Sequence, residues 1–355
     1  MSGFVKWVGH GVLGATLILI GGGGVGAQDV PATQTDAYTV VRDVAYYPEE
    51  RRGDEYQRNQ CRLDLYLPKK TVNVESIESV DNANVADDAG SVGNADDADG
   101  ADIANNADIA NDANSENDAK DAENGEKGRF ATIVWFHGGG LTGGQRYLPE
   151  ALRTKALEQG GIAVVAVGYR LSPQAQLPSF IEDAAAAAVW VKRHIREYGG
   201  DPDCVFLCGG SAGGYLTAMV GMDPRWLEPY GCTPRDFAGL IPVSAQVTTH
   251  FHVKELRGIP GDQYQPVIDE YAPLAHLAAD LPPILLVLGD RRIEWKARVE
   301  ENELLAASLR AMGHPDVTFR EFPGFDHGIS AMAKDCEPDV TAAIVAFVKG
   351  HTHSR

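Results

Sequence analysis

The chain has 355 residues and a formal net charge of -19 at pH 7. Most of this charge is local, because residues 75–126 hold sixteen acidic residues and one Lys, which leaves about -4 for the rest of the chain. The sequence has no cluster of Lys and Arg that would meet the phosphates of DNA or RNA, so we expect no nucleic-acid partner.

The N-terminus has the pattern of an export signal. Lys6 precedes an apolar run from Trp7 to about Ala27, and small residues stand just before Gln28. This pattern predicts a signal peptide over residues 1–27. A membrane anchor is the alternative, but four consecutive glycines interrupt the apolar core. We therefore expect a secreted or periplasmic protein that keeps no stable membrane span after signal removal.

Residues 75–126 are rich in Asp, Asn, Ala and Gly and show neither helical nor strand periodicity. Such a segment buries too little apolar surface to offset the entropy lost on ordering, so it is predicted to be an acidic disordered insertion that acts as a solvated spacer. Weak cation binding or contact with a basic matrix is the alternative. The remaining residues, 28–74 and 127–350, are long enough for one catalytic domain.

Apolar runs and helical patterns alternate in that remaining chain. A period of two in Cys61–Pro68 predicts a half-buried antiparallel strand after a short β-like opening from Val40. Further strands are predicted at Phe130–Phe136, Gly161–Gly168, Cys204–Cys208, Phe237–Val243, Pro283–Leu288 and Val317–Phe322, and helices near Pro178–Tyr198, from Ala212, at Arg298–Met312 and near Asp339–Lys349. This alternation predicts an α/β fold with a mostly parallel sheet covered on both faces, with sites at the carboxyl ends of the strands.

The cysteines are too few and too scattered for a disulfide scaffold, and none has a zinc-binding spacing. We expect no pairing and no metal. The five residues are Cys61, Cys204, Cys208, Cys232 and Cys336.

The segment Gly209–Gly214 (GGSAGG) directly follows an apolar strand and opens a helical stretch. A GxSxG in this setting is typical of a nucleophile elbow, in which small neighbours allow the serine its strained backbone. Ser211 is therefore the predicted nucleophile, with a plain glycine-rich turn as the alternative.

A second glycine-rich motif, His137–Gly140 (HGGG), ends the strand Phe130–Phe136. Glycines leave backbone N–H groups unobstructed, and preorganised N–H donors stabilise the oxyanion of an acyl-transfer intermediate. We assign Gly139, Gly140 and the N–H of Ala212 to that oxyanion hole. A phosphate-binding loop is the alternative, but no GK[ST] or GxGxxG pattern accompanies the motif.

The general base is predicted at His327, in the segment Gly324–Gly328 (GFDHG) after the last strand. It lies in a loop downstream of the serine, in the chain order Ser, acid, His.

HGGG, YRLSP at Tyr169–Pro173, YGGDP at Tyr198–Pro202, GGSAGG and FDHG together resemble the α/β-hydrolase superfamily. The nearest groups are esterases related to hormone-sensitive lipase and a bacterial feruloyl or acetyl esterase-like group. The resemblance covers about Arg62 to Lys349 apart from the insertion. It implies the α/β-hydrolase fold with about eight strands flanked by helices, a Ser/His/acid triad and no cofactor.

The sequence departs from these families at the triad acid. They place it three residues after a glycine, in a pattern like GDxD, whereas Gly289 is followed at that spacing by Arg292. An arginine cannot hold or stabilise the imidazole, so a neighbouring carboxylate must replace it. Asp290 is slightly favoured because it lies at the strand end, and Glu294 is the alternative because its side chain reaches further.

These residues predict an exported serine hydrolase of carboxylic esters, with a small-molecule or polysaccharide ester as its partner. The stretch Val247–Pro273, which contains several aromatic residues, is the expected wall of the substrate pocket. Two alternatives stay open: a non-catalytic binding protein on a hydrolase fold, suggested by Arg292, and an amide hydrolase such as a formamidase.

Overall fold

The computed structural model describes residues 32–35, 37–69, 128–336 and 339–352. The predicted signal peptide and the predicted acidic insertion lie outside the described residues, and both stay predictions. Within those ranges, every helix is too short or too polar to cross a lipid bilayer.

Nine strands form one sheet in the order β1-β2-β3-β5-β4-β6-β7-β8-β9. The strands are β1 Ala32–Gln34, β2 Tyr38–Ala45, β3 Arg62–Pro68, β4 Phe130–Phe136, β5 Ala163–Val167, β6 Gly200–Gly210, β7 Gly239–Val243, β8 Ile284–Leu288 and β9 Val317–Glu321. Three pairs of neighbouring strands are antiparallel: β1 with β2, β2 with β3, and β3 with β5. The pairs that follow, from β5 through β4 and β6 to β9, are parallel. The predicted mostly parallel α/β-hydrolase fold is confirmed, and the strand beyond the expected eight is the three-residue β1 at the sheet edge.

Helices and turns connect the strands, and one helix follows the last strand. The helices are α1 Glu55–Gln60, α2 Ser179–His194, α3 Ala212–Met222, α4 Phe251–Leu256, α5 Arg298–Ala311 and α6 Asp339–His351, with a π-helical segment at Leu152–Gln159. Short 3-10 turns occur at Glu49–Arg51, Ile195–Tyr198, Pro224–Trp226, Glu228–Tyr230, Pro234–Asp236, Pro273–Ala275, His327–Ala331 and Lys334–Cys336. The long predicted helix near Pro178–Tyr198 thus ends in a 3-10 turn.

The strands β4, β5, β7 and β8 are almost entirely apolar and buried because both faces of the sheet are covered there. In β4 all seven residues are buried, and successive side chains point to opposite faces. Val134 and Phe136 join the larger apolar cluster, with α2, α3 and α5, while Ile133 and Trp135 join the cluster on the other face, with α6. This double cover fixes the register of β4 and β6, whose carboxyl ends carry the predicted site.

The chain on either side of the predicted insertion meets the sheet at one edge. Tyr66, near the end of β3, pairs with Val164, while Thr132, near the start of β4, pairs with Ala163. The end of β3 and the start of β4 therefore flank the first residues of β5. This edge is opposite to the carboxyl ends of the parallel strands.

Candidate active site

Ser211 lies in the sharp turn between β6 and α3. Its backbone has φ 54° and ψ -115°, a conformation that costs a non-glycine residue free energy and that recurs at functional sites. The turn is held from the neighbouring strand, because the Ser211 N–H donates to the carbonyl oxygen of Val243 at 2.9 Å. The structure thus has the strand-turn-helix geometry that the GGSAGG motif predicts.

The glycines around Ser211 are required by close backbone contacts. A Cβ at Gly210 would lie 1.8 Å from the carbonyl oxygen of Ser330, and one at Gly213 would lie 2.0 Å from that of Phe136. The first contact joins the turn to the segment that carries His327. The second lets α3 start directly against the end of β4.

His327 begins a 3-10 turn that follows β9. Its Nε2 lies 2.8 Å from Ser211 Oγ, which is hydrogen-bonding distance. The Asp326 side chain caps this turn by accepting from the N–H of Gly328 at 2.8 Å. The structure therefore brings the predicted nucleophile and the predicted base together.

Glu294 is the carboxylate beside His327. Its Oε1 lies 2.7 Å from His327 Nδ1, and its side chain is fully buried. Asp290, which the sequence slightly favoured, makes no contact with His327, so that preference is corrected in favour of Glu294. The physical reason is that the chain turns after β8, where the N–H of Glu294 donates to the carbonyl oxygen of Asp290 at 2.8 Å, and this turn carries the longer side chain to the imidazole.

Asp290 instead closes its own loop. It accepts hydrogen bonds from the backbone and Nε of Arg292, at 3.0 and 2.8 Å, and also pairs with Nη2 of that residue. Its second oxygen accepts from the N–H of Gly324 at 3.0 Å, at the turn that leads to His327. These bonds, those from Arg292 first, hold the pKa of Asp290 well below its usual range. Asp290 therefore ties together the two loops that carry Glu294 and His327.

Ser244 adds a polar contact that the sequence did not predict. Its buried Oγ donates to Glu294 Oε2 at 2.7 Å and lies 3.0 Å from His327 Nδ1. Burial alone would raise the pKa of Glu294, but hydrogen bonds with His327, Ser244 and the N–H of Trp295 outweigh it and lower the pKa below 4.5. The signal in the sequence was the position of Ser244, immediately after β7 at the carboxyl edge of the sheet.

Trp295 covers the imidazole of His327. Its ring stacks on the imidazole of His327 with centroids 4.6 Å apart and planes 12° apart, while the backbone N–H of Trp295 donates to Glu294 Oε1 at 2.8 Å. Arg298 is a further neighbour of this ring, with its Cζ 5.8 Å from the ring centroid. One residue therefore contacts both the His327 imidazole and the Glu294 carboxylate, and no motif in the sequence indicated it.

Three backbone N–H groups are available beside Ser211. Gly139 and Gly140 adopt φ 116° and 65°, and a Cβ at Gly139 would lie 2.1 Å from the carbonyl oxygen of Gly143. Within the described ranges, no acceptor pairs with the N–H groups of Gly139, Gly140 or Ala212. A Cβ at Gly138 would lie 3.3 Å from Ser211 Cβ, so the glycine loop reaches the serine directly. The loop fits the predicted oxyanion hole, whose role stays a prediction.

His137 shapes this loop. Its buried ring stacks on Tyr169 at 4.3 Å, and its Nδ1 lies 2.7 Å from the carbonyl oxygen of Gly138. Burial lowers its pKa to about 4, against the effect of that hydrogen bond, so the imidazole is neutral at pH 7. The Tyr169 hydroxyl also donates to the carbonyl oxygen of His137 at 2.6 Å. His137 and Tyr169 thus support the loop from below.

The predicted pocket wall Val247–Pro273 lies beside these residues. Phe251, which opens α4, has its Cζ 3.4 Å from the position of a Cβ on Gly140, and its ring centroid is 5.9 Å from that of Trp295. A cavity of ≈ 310 Å³ extends from Phe251 and Trp295 toward Tyr264. In the described part of the chain, no three His, Cys, Asp or Glu residues are grouped as a metal ion would require, and the five cysteines form no disulfide there.

Residues 133–331 match the model of a family described as alpha/beta hydrolase fold. Among curated proteins, the chain is 29% identical over 226 residues to the probable carboxylic ester hydrolase LipM of Mycobacterium tuberculosis, with 58% of this chain and 51% of LipM covered. It is 31% identical over 218 residues to the carboxylic ester hydrolase LipN of the same organism, with 55% and 56% covered. The chain thus spans about half the length of the curated relatives that it matches.

Solved structures share the architecture. A truncated carbohydrate esterase from gut microbiota aligns with a TM-score of 0.57 and 17% identity, over 90% of this chain and 98% of that chain. Esterase B from Lactobacillus rhamnosis aligns with a TM-score of 0.56 and 18% identity, over 89% and 85%. These likenesses support the fold, and the family match covers more than half of the chain. The protein belongs to the alpha/beta hydrolase fold family.

Proposed function

We propose that the protein is an exported serine hydrolase of carboxylic esters, in which Ser211 is the nucleophile, His327 the base and Glu294 the acid. One observation carries the proposal. Ser211 Oγ, both nitrogens of His327 and Glu294 Oε1 form a continuous line of contacts at 2.8 and 2.7 Å. This is the arrangement that nucleophilic acyl transfer requires, with the base within reach of the nucleophile and itself oriented by a third group.

In the first half of the reaction, His327 Nε2 removes the proton of the Ser211 hydroxyl as the oxygen attacks the ester carbonyl. The carbonyl oxygen becomes an oxyanion and accepts hydrogen bonds from the N–H groups of Gly139, Gly140 and Ala212. Collapse breaks the bond to the alcohol oxygen, which takes the proton from His327 and leaves an acyl group on Ser211.

In the second half, His327 removes a proton from water, and the resulting oxygen attacks the acyl carbonyl. Collapse breaks the acyl bond to Ser211 Oγ, which regains its proton from His327. Glu294 acts in both halves, because its buried carboxylate fixes the proton of the imidazole on Nδ1 and stabilises the imidazolium that forms. Its depressed pKa keeps it charged at neutral pH.

The reason for the non-catalytic alternative was Arg292 at the usual position of the acid. In the structure Arg292 is bound to Asp290 and its side chain is 77% exposed, while Glu294 takes the place beside the base. No observation favours an amide over an ester as the substrate. The names of the curated relatives LipM and LipN support esters.

The ester activity is tested with p-nitrophenyl acetate and with a fluorophosphonate probe, which labels an activated serine. We expect wild-type protein to hydrolyse the ester and to be labelled, and Ser211→Ala to do neither while keeping its circular dichroism spectrum. Ser308→Ala, on α5, is the matched control and should behave as wild type. Labelling of a folded Ser211→Ala protein would refute the assignment.

Export and a polysaccharide or small-molecule ester as substrate are parts of the same proposal. The signal pattern of residues 1–27 supports export. The cavity beside the site supports such a substrate. N-terminal sequencing of the protein recovered outside the cytoplasm should begin near Gln28. A protein that stays in the cytoplasm with its first residues intact would refute export.

A further inference from the structure

Exposed apolar side chains are concentrated around one cavity. Six large hydrophobic residues in the described ranges are exposed, and four of them line the ≈ 310 Å³ cavity beside the site. They are Tyr264, Ile268, Trp295 and Leu304. Apolar surface left in water at one concave place is typical of a binding site, and this volume is at the lower end for small-molecule pockets, which suits one or two rings.

Two residues of the cavity wall border the residues around Ser211. They are Trp295, which stacks on His327, and Phe251, whose Cζ would lie 3.4 Å from a Cβ on Gly140. In an ester hydrolase His327 delivers its proton to the oxygen of the leaving alcohol, so the alcohol half of the substrate lies on the side of His327 and Trp295. The face of Trp295 toward His327 is already covered, which leaves its remaining surface to the cavity.

The outer wall is held in place by a buried lysine. Lys254, on α4, is 5% exposed, and its Nζ donates to the carbonyl oxygens of Asp262, Gln263 and Gln265 at 3.2, 3.0 and 2.7 Å. These bonds fix the loop that presents Tyr264. The cavity is therefore formed before a ligand binds, which lowers the entropic cost of binding.

The charges that line the cavity cancel. Lys296 and Arg298 oppose Glu300 and Glu301, so the lining selects neither anions nor cations. Gln263 also lines the cavity, as do Gln246 and Thr248, but the side chains of these two are bonded to each other at 3.3 Å, and Thr248 Oγ1 donates to Glu301 Oε2 at 2.8 Å. The buried Arg298 Nε faces Glu301 Oε1 at 3.5 Å, so this nitrogen is enclosed by the protein and is not offered to a ligand.

We propose that this cavity, between Tyr264, Trp295 and Leu304, binds the alcohol half of the ester, as an uncharged ring that carries oxygen atoms on its rim. The apolar walls contact the ring, and the Gln263 amide and the Lys296 ammonium bind its oxygens. A sugar ring and an oxygen-substituted phenol share this chemistry. The identity of the site as the alcohol subsite depends on the ester hydrolase proposed above.

The test fills the cavity and compares acetates that differ only in the alcohol. Leu304→Trp, on the cavity wall, is compared with Met312→Trp, an equally exposed position at the end of the same helix outside the cavity. The substrates are ethyl acetate, an acetylated methyl glycoside and 4-methoxyphenyl acetate, with ethyl butanoate to vary the acyl half. Variant-to-wild-type ratios of kcat/KM remove the intrinsic reactivity of each ester.

We expect Leu304→Trp to lower kcat/KM about tenfold for one or both ring acetates, mainly through KM, and to leave both ethyl esters within about twofold. Whichever ring ester responds identifies the sugar or the phenol as the source. Met312→Trp should change none of them. An equal loss for all four esters, a loss confined to the butanoate, or no loss at all would each overturn the proposal.

Binding is measured separately from turnover, so that failure of the two proposals can be told apart. Ser211→Ala protein is titrated calorimetrically with methyl glucoside and with 4-methoxyphenol. Binding of at least one, weakened about tenfold by a second change Leu304→Trp and kept with Met312→Trp, supports the cavity even if no ester is hydrolysed. Absence of binding to both would overturn it even in an active esterase.

Discussion

Replacing Glu294 by Gln should remove most of the catalysis and leave the fold intact. The amide keeps the volume of the side chain and one oxygen near His327 Nδ1, 2.7 Å away in the wild type, but it carries no charge to stabilise the imidazolium. The equivalent change in Ser/His/Asp enzymes lowers kcat about 10⁴-fold. Ser244 Oγ, 3.0 Å from the same nitrogen, remains as a second polar contact, so we expect a loss of about 10² to 10⁴, or about 3 to 5 kcal/mol of barrier.

The matched variant is Asp290→Asn, because Asp290 lies four residues before Glu294 and does not contact His327. It should lower the melting temperature, since it weakens the bonds to Arg292 and Gly324, and change kcat less than tenfold. The assay is steady-state hydrolysis of p-nitrophenyl acetate by variants whose circular dichroism matches that of the wild type. An Asp290→Asn protein that is folded but as inactive as Glu294→Gln would refute the assignment of the acid.

Three further predictions concern the same site. Gly210→Ala should lower the free energy of unfolding by about 1 to 3 kcal/mol, because the new Cβ would lie 1.8 Å from a backbone oxygen. Gly350→Ala, where a Cβ has open space, should not lower it. Urea titration compares the two variants, and equal stabilities would contradict the close packing at Gly210. Trp295→Ala should reduce kcat on ethyl acetate about two- to tenfold, because it removes the ring stacked on His327. Trp295→Phe should restore much of the lost kcat. A wild-type kcat in the alanine variant would exclude a role of this ring in positioning His327. The folded-state pKa of Glu294 is depressed, so its charge stabilises the fold above pH 4.5, and this stabilisation is lost as the pH falls through the folded-state pKa. The difference in the free energy of unfolding between wild type and Glu294→Gln should therefore shrink from pH 7 to pH 3. A constant difference would contradict the depressed pKa.

The fold was accessible from the sequence because its buried strands leave a strong local signal. The predicted run Phe130–Phe136 is strand β4 without any shift in its bounds, and the predicted helix over Arg298–Met312 is α5 with one residue fewer. Burial on both faces of the sheet demands continuous apolar runs, and helices between them demand a different period. The edge strand β1 was missed because three residues paired on one side carry too little pattern.

At the site, the sequence predicted the local geometry where the backbone itself is constrained. Ser211 has a strained backbone with φ 54°, and the residues beside it must be small. These requirements make the motif visible in the sequence. The choice between Asp290 and Glu294 depended on side-chain reach after a turn, which no local pattern encodes. Ser244 and Trp295 were missed because each contacts His327, which is distant from both in the sequence.

The place at which the chain leaves the sheet before residues 70–127 and rejoins it after them has a consequence for how the sequence can vary and how it can be engineered. Tyr66 and Thr132, which flank this range, both pair with the first residues of β5, so the described chain leaves and re-enters the sheet at the end of the strands away from Ser211 and His327. We therefore expect changes in the length and charge of the intervening sequence to leave Ser211 and His327 in place. The same junction is a suitable place for grafting a tag, a binding module or a surface linker onto the working domain.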